Sequence, residues 1–301
     1  MRNPLVATLL VTIVAFWTAL APSGAAPISF RDLLARPRAT PTKIVTYGPA
    51  PHQFAELWLP EGPGPHRTLV MIHGGCWLAD LPGTELMAYL SEDLRQHGYA
   101  VWSIDYRRIG DEGGGYPGTF ADAATAIDKL KEIAPAEKLD LSKLVAIGHS
   151  AGGHLATWSA GRKRLPKASA VANESPLAIT GVISLAGIND LKAYRETGPS
   201  ACGGPPTIDA LIGAATRSNA DILADTSPAA LLPIGVRQIV ISGALDKIVP
   251  PAFGKAYAAA AAKKGDTVKE ITIENAGHFE LIDPTSDAWK TIRAEIDALM
   301  K

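Results

Sequence analysis

Three polar residues, far apart along the chain, have the types needed for a nucleophile, a base and an orienting acid. Ser150 lies in Gly148-His-Ser-Ala-Gly152, which has the G-x-S-x-G pattern of a nucleophile elbow. Asp246 and His278 each follow a later hydrophobic run. A serine hydroxyl becomes a good nucleophile when a base takes its proton and a carboxylate orients that base. These residues therefore predict acyl transfer, with Ser150 as nucleophile, His278 as base and Asp246 as the residue that orients His278.

Other interpretations of these positions stay open at this point. Ser150 could be an incidental residue in a tight strand-to-helix turn, and Asp246 could cap the helix that follows it. Asp221 and Asp225 also lie between Ser150 and His278, so they satisfy the chain order Ser, Asp, His. Both fall in an irregular segment of the sequence, which favours Asp246.

A second motif, His73-Gly-Gly-Cys-Trp77, here called the oxyanion loop, follows a short hydrophobic run. Acyl transfer needs backbone N–H groups aimed at a developing oxyanion, and small residues let the backbone approach it closely. We expect donors from Gly75 and Cys76, joined by the N–H of Ala151 directly after the nucleophile. Gly74 is the alternative donor, and a plain Gly-Gly turn is the alternative interpretation of the motif.

The elements that must position these residues follow from hydrophobic periodicity. Short hydrophobic runs alternate with segments of helical spacing along the chain. This alternation predicts an α/β fold: a mainly parallel central sheet flanked by helices, with the active residues at the carboxyl ends of the strands. Strands are predicted over 43–47, 54–59, 68–72, 99–104, 144–147, 179–185, 238–241 and 269–273, and helices over 85–96, 120–133, 150–160, 252–264 and 289–299.

Residues 188–235 break this alternation, since they are rich in Gly and Pro and contain no clear strand. We expect a small cap-like insertion there, over the carboxyl edge of the sheet. Trp77 is predicted to line the substrate pocket. Because the three catalytic candidates must meet at one sheet edge, residues 26–301 are predicted to form a single domain.

The first 25 residues have the pattern of a signal peptide. Arg2 is followed by an apolar run over 5–20 and then by Ser23-Gly-Ala25, a plausible cleavage site. We expect cleavage after Ala25 and a secreted or periplasmic protein with no membrane span left after cleavage. A retained anchor is the alternative, because the 18 residues from Pro4 to Ala21 approach the lower limit for crossing a bilayer.

The two cysteines, Cys76 and Cys202, are too few for a disulfide scaffold. In an oxidising compartment they can pair, which would tie the cap to the oxyanion loop. Two unpaired thiols are the alternative.

Composition excludes several classes of protein. The 29 basic and 30 acidic residues give a net charge of −1, and no basic stretch suits a nucleic acid. No metal-site pattern and no P-loop occurs in the sequence, so no cofactor is expected. The partner that we expect is a small ester or amide substrate, and the sequence leaves the oligomeric state open.

Together the motifs resemble α/β-hydrolase esterases of the group that includes hormone-sensitive-lipase-like, feruloyl-esterase-like and kynurenine-formamidase-like enzymes. The matching pieces are His73-Gly-Gly-Cys-Trp77, Asp105-Tyr-Arg-Arg108, Gly148-His-Ser-Ala-Gly-Gly153, Asp246 and Gly277-His278. The resemblance implies an α/β-hydrolase fold and a serine hydrolase that cleaves carboxylic esters through an acyl-enzyme.

Two departures bear on the substrate. Cys76 stands where lipase-type relatives often have a third glycine, and the H-G-G-x-W form resembles kynurenine formamidase. Aryl formamides are therefore the alternative substrates to small esters. A non-catalytic binding protein on the same fold is the alternative from another functional class.

Overall fold

The computed structural model describes residues 26–217 and 221–301, and the predicted signal peptide over 1–25 lies outside the described residues. One eight-stranded sheet organises the described part of the chain. Its strands are β1 (Lys43–Thr46), β2 (Phe54–Trp58), β3 (His66–Ile72), β4 (Ala100–Ile104), β5 (Leu139–His149), β6 (Gly181–Leu185), β7 (Arg237–Gly243) and β8 (Val268–Ile273).

The strand order is β1-β2-β4-β3-β5-β6-β7-β8. The pairs β1–β2 and β2–β4 are antiparallel, and the other neighbours are parallel. In the centre of the sheet, Leu69 of β3 pairs with Val101 of β4, and Ile147 of β5 pairs with Ile183 of β6. Every residue of β4 and β6 is buried, as expected for strands covered on both faces. The mainly parallel sheet predicted from the sequence is confirmed.

Helices flank this sheet. They are α1 (Phe30–Leu34), α2 (Ala88–Gln96), α3 (Gly118–Asp128), α4 (Leu130–Glu137), α5 (Ala151–Ala160), α6 (Leu191–Thr197), α7 (Pro205–Ile212), α8 (Pro251–Lys263) and α9 (Asp287–Met300). Residues 151–159 of α5 are all buried, so this helix lies inside the protein directly after β5. Within the described ranges, no helix combines the length and hydropathy needed to cross a bilayer.

The single helix predicted over 120–133 is wrong, because the structure has two helices there. Trp102 of β4 donates its indole N–H to the carbonyl of Ala126 at 2.8 Å. In a continuous α-helix that carbonyl would accept from the N–H of Leu130. The indole bond therefore coincides with the end of α3, and α4 begins at Leu130 after a turn at Lys129.

Residues 188–235, here called the cap segment, connect β6 to β7. Their described part holds α6, α7 and two single-turn 3₁₀ helices, Ser200–Cys202 and Pro228–Leu231, and contains no strand. The segment closes on itself at its base, where the N–H of Ala229 donates to the carbonyl of Asn189 at 3.0 Å. It leaves the sheet at the carboxyl end of β6, which is the edge at which β5 delivers Ser150.

Candidate active site

Ser150 occupies a strained turn between β5 and α5. Its backbone has φ 55° and ψ −120°, a region that residues with a side chain rarely adopt. Such strain costs about 1–3 kcal/mol and is found mostly at functional sites. A Cβ on Gly148 would lie 2.0 Å from the carbonyl oxygen of Gly152, so the turn closes only with glycine there. The N–H of Ser150 donates to the carbonyl of Leu185 at 2.8 Å, which fixes the turn to β6.

The imidazole of His278 is oriented by Asp246. Nδ1 of His278 donates to Oδ2 of Asp246 at 2.6 Å, and both side chains are buried. The other carboxylate oxygen of Asp246 accepts the N–H groups of Ile248 and Val249, at 2.7 and 2.9 Å. In the neutral tautomer that has its proton on Nδ1, Nε2 holds a lone pair that can take a proton from a hydroxyl.

Ser150 and His278 line the same cavity, which measures about 140 Å³. In the described residues no direct hydrogen bond joins them, and such bonds commonly tighten only when substrate is bound. Most of the lining is apolar. The lining residues are Phe30, Gly75, Cys76, Leu81, Pro82, Leu86, His149, Ser150, Ala201, Ile248, His278 and Phe279.

The two rival aspartates do not approach His278. Asp225 accepts hydrogen bonds from Tyr116 and Ser169 and pairs with Arg217 at 2.7 Å. Asp221 is exposed and accepts the backbone N–H at position 223. The structure therefore brings Asp246 to the histidine and leaves both rivals in the cap segment.

The oxyanion loop lies beside Ser150. Gly75 and Cys76 line the cavity, and neither backbone N–H is used in the hydrogen bonds of the described residues. Ala151 is the first residue of α5, where a backbone N–H has no acceptor within its own helix. These three N–H groups are thus available to donate to an acceptor placed beside Ser150.

Trp77 is a correction. It is fully buried and does not line the cavity, although the sequence places it beside the oxyanion loop. Cys76 and Trp77 have φ values of 51° and 58°, and the Trp77 indole packs inside the protein. There its N–H donates to Nδ1 of His154 at 3.2 Å, while Nε2 of His154 donates to the carbonyl of Thr226 at 2.8 Å. Trp77 therefore anchors the loop to α5 and the cap segment instead of contacting substrate.

Cys76 and Cys202 form a disulfide across 126 residues of sequence, with Cα atoms 5.2 Å apart. Both cysteines are buried, and Cys202 lies in the 3₁₀ turn next to Ala201, another cavity residue. The bond joins the oxyanion loop covalently to the cap segment.

A polar cluster braces the start of the oxyanion loop. The two ring nitrogens of His73 face Oδ1 of Asp105 at 2.9 Å and the carbonyl of Gly74 at 2.7 Å. The Tyr106 ring stacks on His73, and its hydroxyl donates to the His73 carbonyl. Burial raises the pKa of Asp105, but hydrogen bonds from His73, His52 and the Tyr106 N–H outweigh this and hold the pKa below its ordinary value. Asp105 is therefore a stable negative centre beneath the loop.

Sequence reasoning missed His149, which the motif treats as its variable position. Nε2 of His149 donates to the backbone carbonyl of His278 at 3.0 Å, and the two ring centroids lie 4.4 Å apart. Burial, followed by the nearby His278 ring, lowers the pKa of His149 well below its ordinary value, so this ring stays neutral. His149 thus links the turn at Ser150 to the loop that carries His278.

The sheet order, the elbow after β5 and the loops at the carboxyl edge define an α/β-hydrolase fold. The BD-FAE family model matches residues 56–260, about two thirds of the chain, and the chain belongs to the BD-FAE family. The match includes Ser150 and Asp246 and ends before His278. The esterase resemblance seen in the sequence motifs is confirmed at this level. No curated protein matches the sequence.

Solved structures give the same fold. Esterase B from Lactobacillus Rhamnosis is 18% identical with a TM-score of 0.72, covering 89% of this chain and 90% of that one. The propionate-bound Est2 esterase from Thermogutta terrifontis is 20% identical with a TM-score of 0.68, covering 86% and 93%. A bifunctional GH43-CE protein from Bacteroides eggerthii is 23% identical with a TM-score of 0.68. The similarity covers 85% of this chain but only 37% of that longer protein.

The disulfide generates a stability prediction. Replacing Cys202 with Ser should lower the free energy of unfolding by about 2–5 kcal/mol, because the unfolded chain loses a cross-link over a long loop. Guanidinium unfolding curves of the variant and of oxidised and reduced wild type measure this change. Reductant should have no effect on a variant that lacks both Cys76 and Cys202. Identical midpoints for oxidised and reduced wild type would contradict the prediction.

His154 generates a pH prediction. Burial lowers the pKa of His154 to about 4, against an ordinary value near 6.5 in the unfolded chain. Between these values the unfolded chain binds the additional proton, so stability falls as the pH falls from about 6.5 to 4. Over this pH range the lowered pKa of His154 reduces the free energy of unfolding by about 3 kcal/mol. Urea unfolding at several pH values should show wild type approaching His154→Gln in stability towards pH 4. Parallel stability curves for the two proteins would refute this role of His154.

Proposed function

We propose that the protein is a secreted or periplasmic serine hydrolase that cleaves carboxylic esters of small substrates through Ser150, His278 and Asp246. One observation carries the proposal. The nucleophile candidate sits in a strained elbow, and the oriented histidine lines the same cavity, beside a loop with unused backbone N–H groups. Nucleophile, base and oxyanion donors are the parts that acyl transfer requires.

The geometry leads to the following reaction. Nε2 of His278 takes the proton of the Ser150 hydroxyl as its oxygen bonds to the ester carbonyl carbon. The tetrahedral oxyanion accepts hydrogen bonds from the backbone N–H groups of Gly75, Cys76 and Ala151. His278 then gives its proton to the leaving alcohol, and an acyl-enzyme remains. Water, deprotonated by His278, attacks this ester and releases the acid and free Ser150.

The volume of the cavity favours a small substrate. Its volume of about 140 Å³ is close to that of an engineered apolar cavity that accepts benzene. Propionate and butyrate are bound in structures of Est2, and a tributyrin phosphonate inhibits Esterase B, so short acyl groups suit two proteins of this fold. The disulfide supports export, because such bonds persist in oxidising compartments.

A labelling experiment tests the nucleophile. A fluorophosphonate probe should label wild type and fail to label Ser150→Ala, whose kcat should fall about 10⁵- to 10⁶-fold because no nucleophile remains. Ser159→Ala is a matched control: this buried hydroxyl on α5 has no hydrogen-bond partner among the described residues, so labelling should persist. A panel of phenyl esters and aryl formamides then separates the ester proposal from the formamide alternative.

Two outcomes would count against this function. Labelling that survives in Ser150→Ala would place the nucleophile elsewhere. A wild-type protein that no probe labels at any serine would favour a non-catalytic binding role.

His149 yields a second functional prediction. His149→Leu removes the N–H that holds the His278 carbonyl. It should lower kcat about 10- to 100-fold with little change in KM, because the base acts in the transition state and displacing it does not weaken substrate binding. His149→Gln keeps a donor of similar reach and should recover part of the rate. A KM effect equal to the loss in kcat/KM, with kcat unchanged, would instead assign His149 to substrate binding.

A further inference from the structure

The chain before β1 forms part of the cavity wall. Residues 27–36, here called the arm, contain the five-residue helix α1. Ser29 and Asp32 cap this helix through reciprocal hydrogen bonds. A helix of this length is not stable alone in water, so tertiary contacts must hold it. The arm also lies outside the BD-FAE match, which begins at residue 56.

One carboxylate attaches the start of the arm to the loop of the base. Oε1 of Glu280 accepts the N–H of Ile28 at 2.6 Å, and Oε2 accepts the N–H of Gly277 at 2.9 Å. A Cβ on Gly277 would lie 2.6 Å from Cβ of Pro27, so the arm packs directly against the residue before His278. The position of the arm and that of the His278 loop are therefore fixed together.

The far end of the arm is attached as well. Leu33 is fully buried, and the hydroxyl of Tyr89 contacts the carbonyls of Leu33 and Arg36, at 2.7 and 3.0 Å. Arg36 pairs with Asp283 at 2.7 Å. With both ends held, the residues between them have a defined place over the cavity.

Phe30 is the arm residue that reaches the cavity. It lines the space shared by Ser150 and His278, and its ring centroid lies 6.0 Å from that of Phe279. Phe279 in turn packs edge-on against the His278 ring at 5.1 Å. An aromatic side chain at this point occupies volume that a longer apolar group of the substrate would need.

We propose that Phe30 is a specificity-determining residue and that the arm sets the size of the apolar group bound beside Ser150. This inference rests on the proposed ester hydrolysis for its substrate and adds the selection among substrates. Removing the ring should admit longer groups, and enlarging it should exclude all but the smallest.

The test uses kcat/KM for phenyl esters from acetate to octanoate and for acetates of increasingly large alcohols. In one of these series, Phe30→Ala should raise the ratio of kcat/KM for the long substrate to kcat/KM for the short substrate about tenfold. Phe30→Trp should lower this ratio. An effect of this size is expected because one methylene in an apolar pocket changes the rate by 10-fold or more. Glu280→Gln, which replaces one of the two acceptors with a donor, should move the ratio in the same direction as Phe30→Ala. Ile44→Ala, an exposed apolar truncation on β1, should not move it.

The outcomes separate this inference from the proposed function. If wild type cleaves esters and neither Phe30 variant changes either ratio while both stay folded by circular dichroism, the inference is overturned. If wild type cleaves no ester, the proposed function fails, and labelling rates with short- and long-chain alkyl fluorophosphonates then decide the role of Phe30. The inference is supported if the Phe30 variants change the ratio of labelling rates for long- and short-chain probes. It is overturned if these variants leave that ratio unchanged.

Discussion

The strained turn at Ser150 is the constraint on which the rest of the site depends. Holding a serine at φ 55° costs free energy, and the surrounding contacts must outweigh that cost. The buried last six residues of β5 on one side and the buried residues 151–159 of α5 on the other supply these contacts. The oxyanion loop and the His278 loop then have to fit around a serine whose position is already determined. This explains why Gly148 has no room for a side chain and why His149 contacts the backbone of His278.

Residue type and chain order are enough to predict that the three candidate residues lie at one edge of the sheet, because parallel strands place their carboxyl ends there. Asp246 was distinguished from Asp225 by the strand that precedes it, and the structure places those two carboxylates in different networks. Side-chain direction could not be predicted in the same way. Trp77 follows the oxyanion glycines in sequence but packs into the interior, since positive φ values are not visible in the residue types.

The missed residues share a physical reason. Phe30 meets the cavity through contacts with a loop some 250 residues later, such as the bond from Ile28 to Glu280. The role of His149 depends on a carbonyl 129 residues away. Neither contact leaves a local periodicity or motif, because both arise only when the sheet brings distant loops to one edge. Local patterns predicted the elements, whereas pocket shape is a property of their assembly.

The oxyanion loop is attached to the cap segment at two separate points. One is the covalent bond from Cys76 to Cys202, and the other runs from Trp77 through His154 to Thr226. A segment attached to its neighbour once can swing, but one attached twice moves only together with that neighbour. While the disulfide is intact, a displacement of Cys202 must therefore also displace Cys76, which lines the cavity with Ser150. Cys76 of the loop and Ala201 of the cap segment both line the cavity, so this part of its wall is built jointly and a shift of one segment is transmitted to the other.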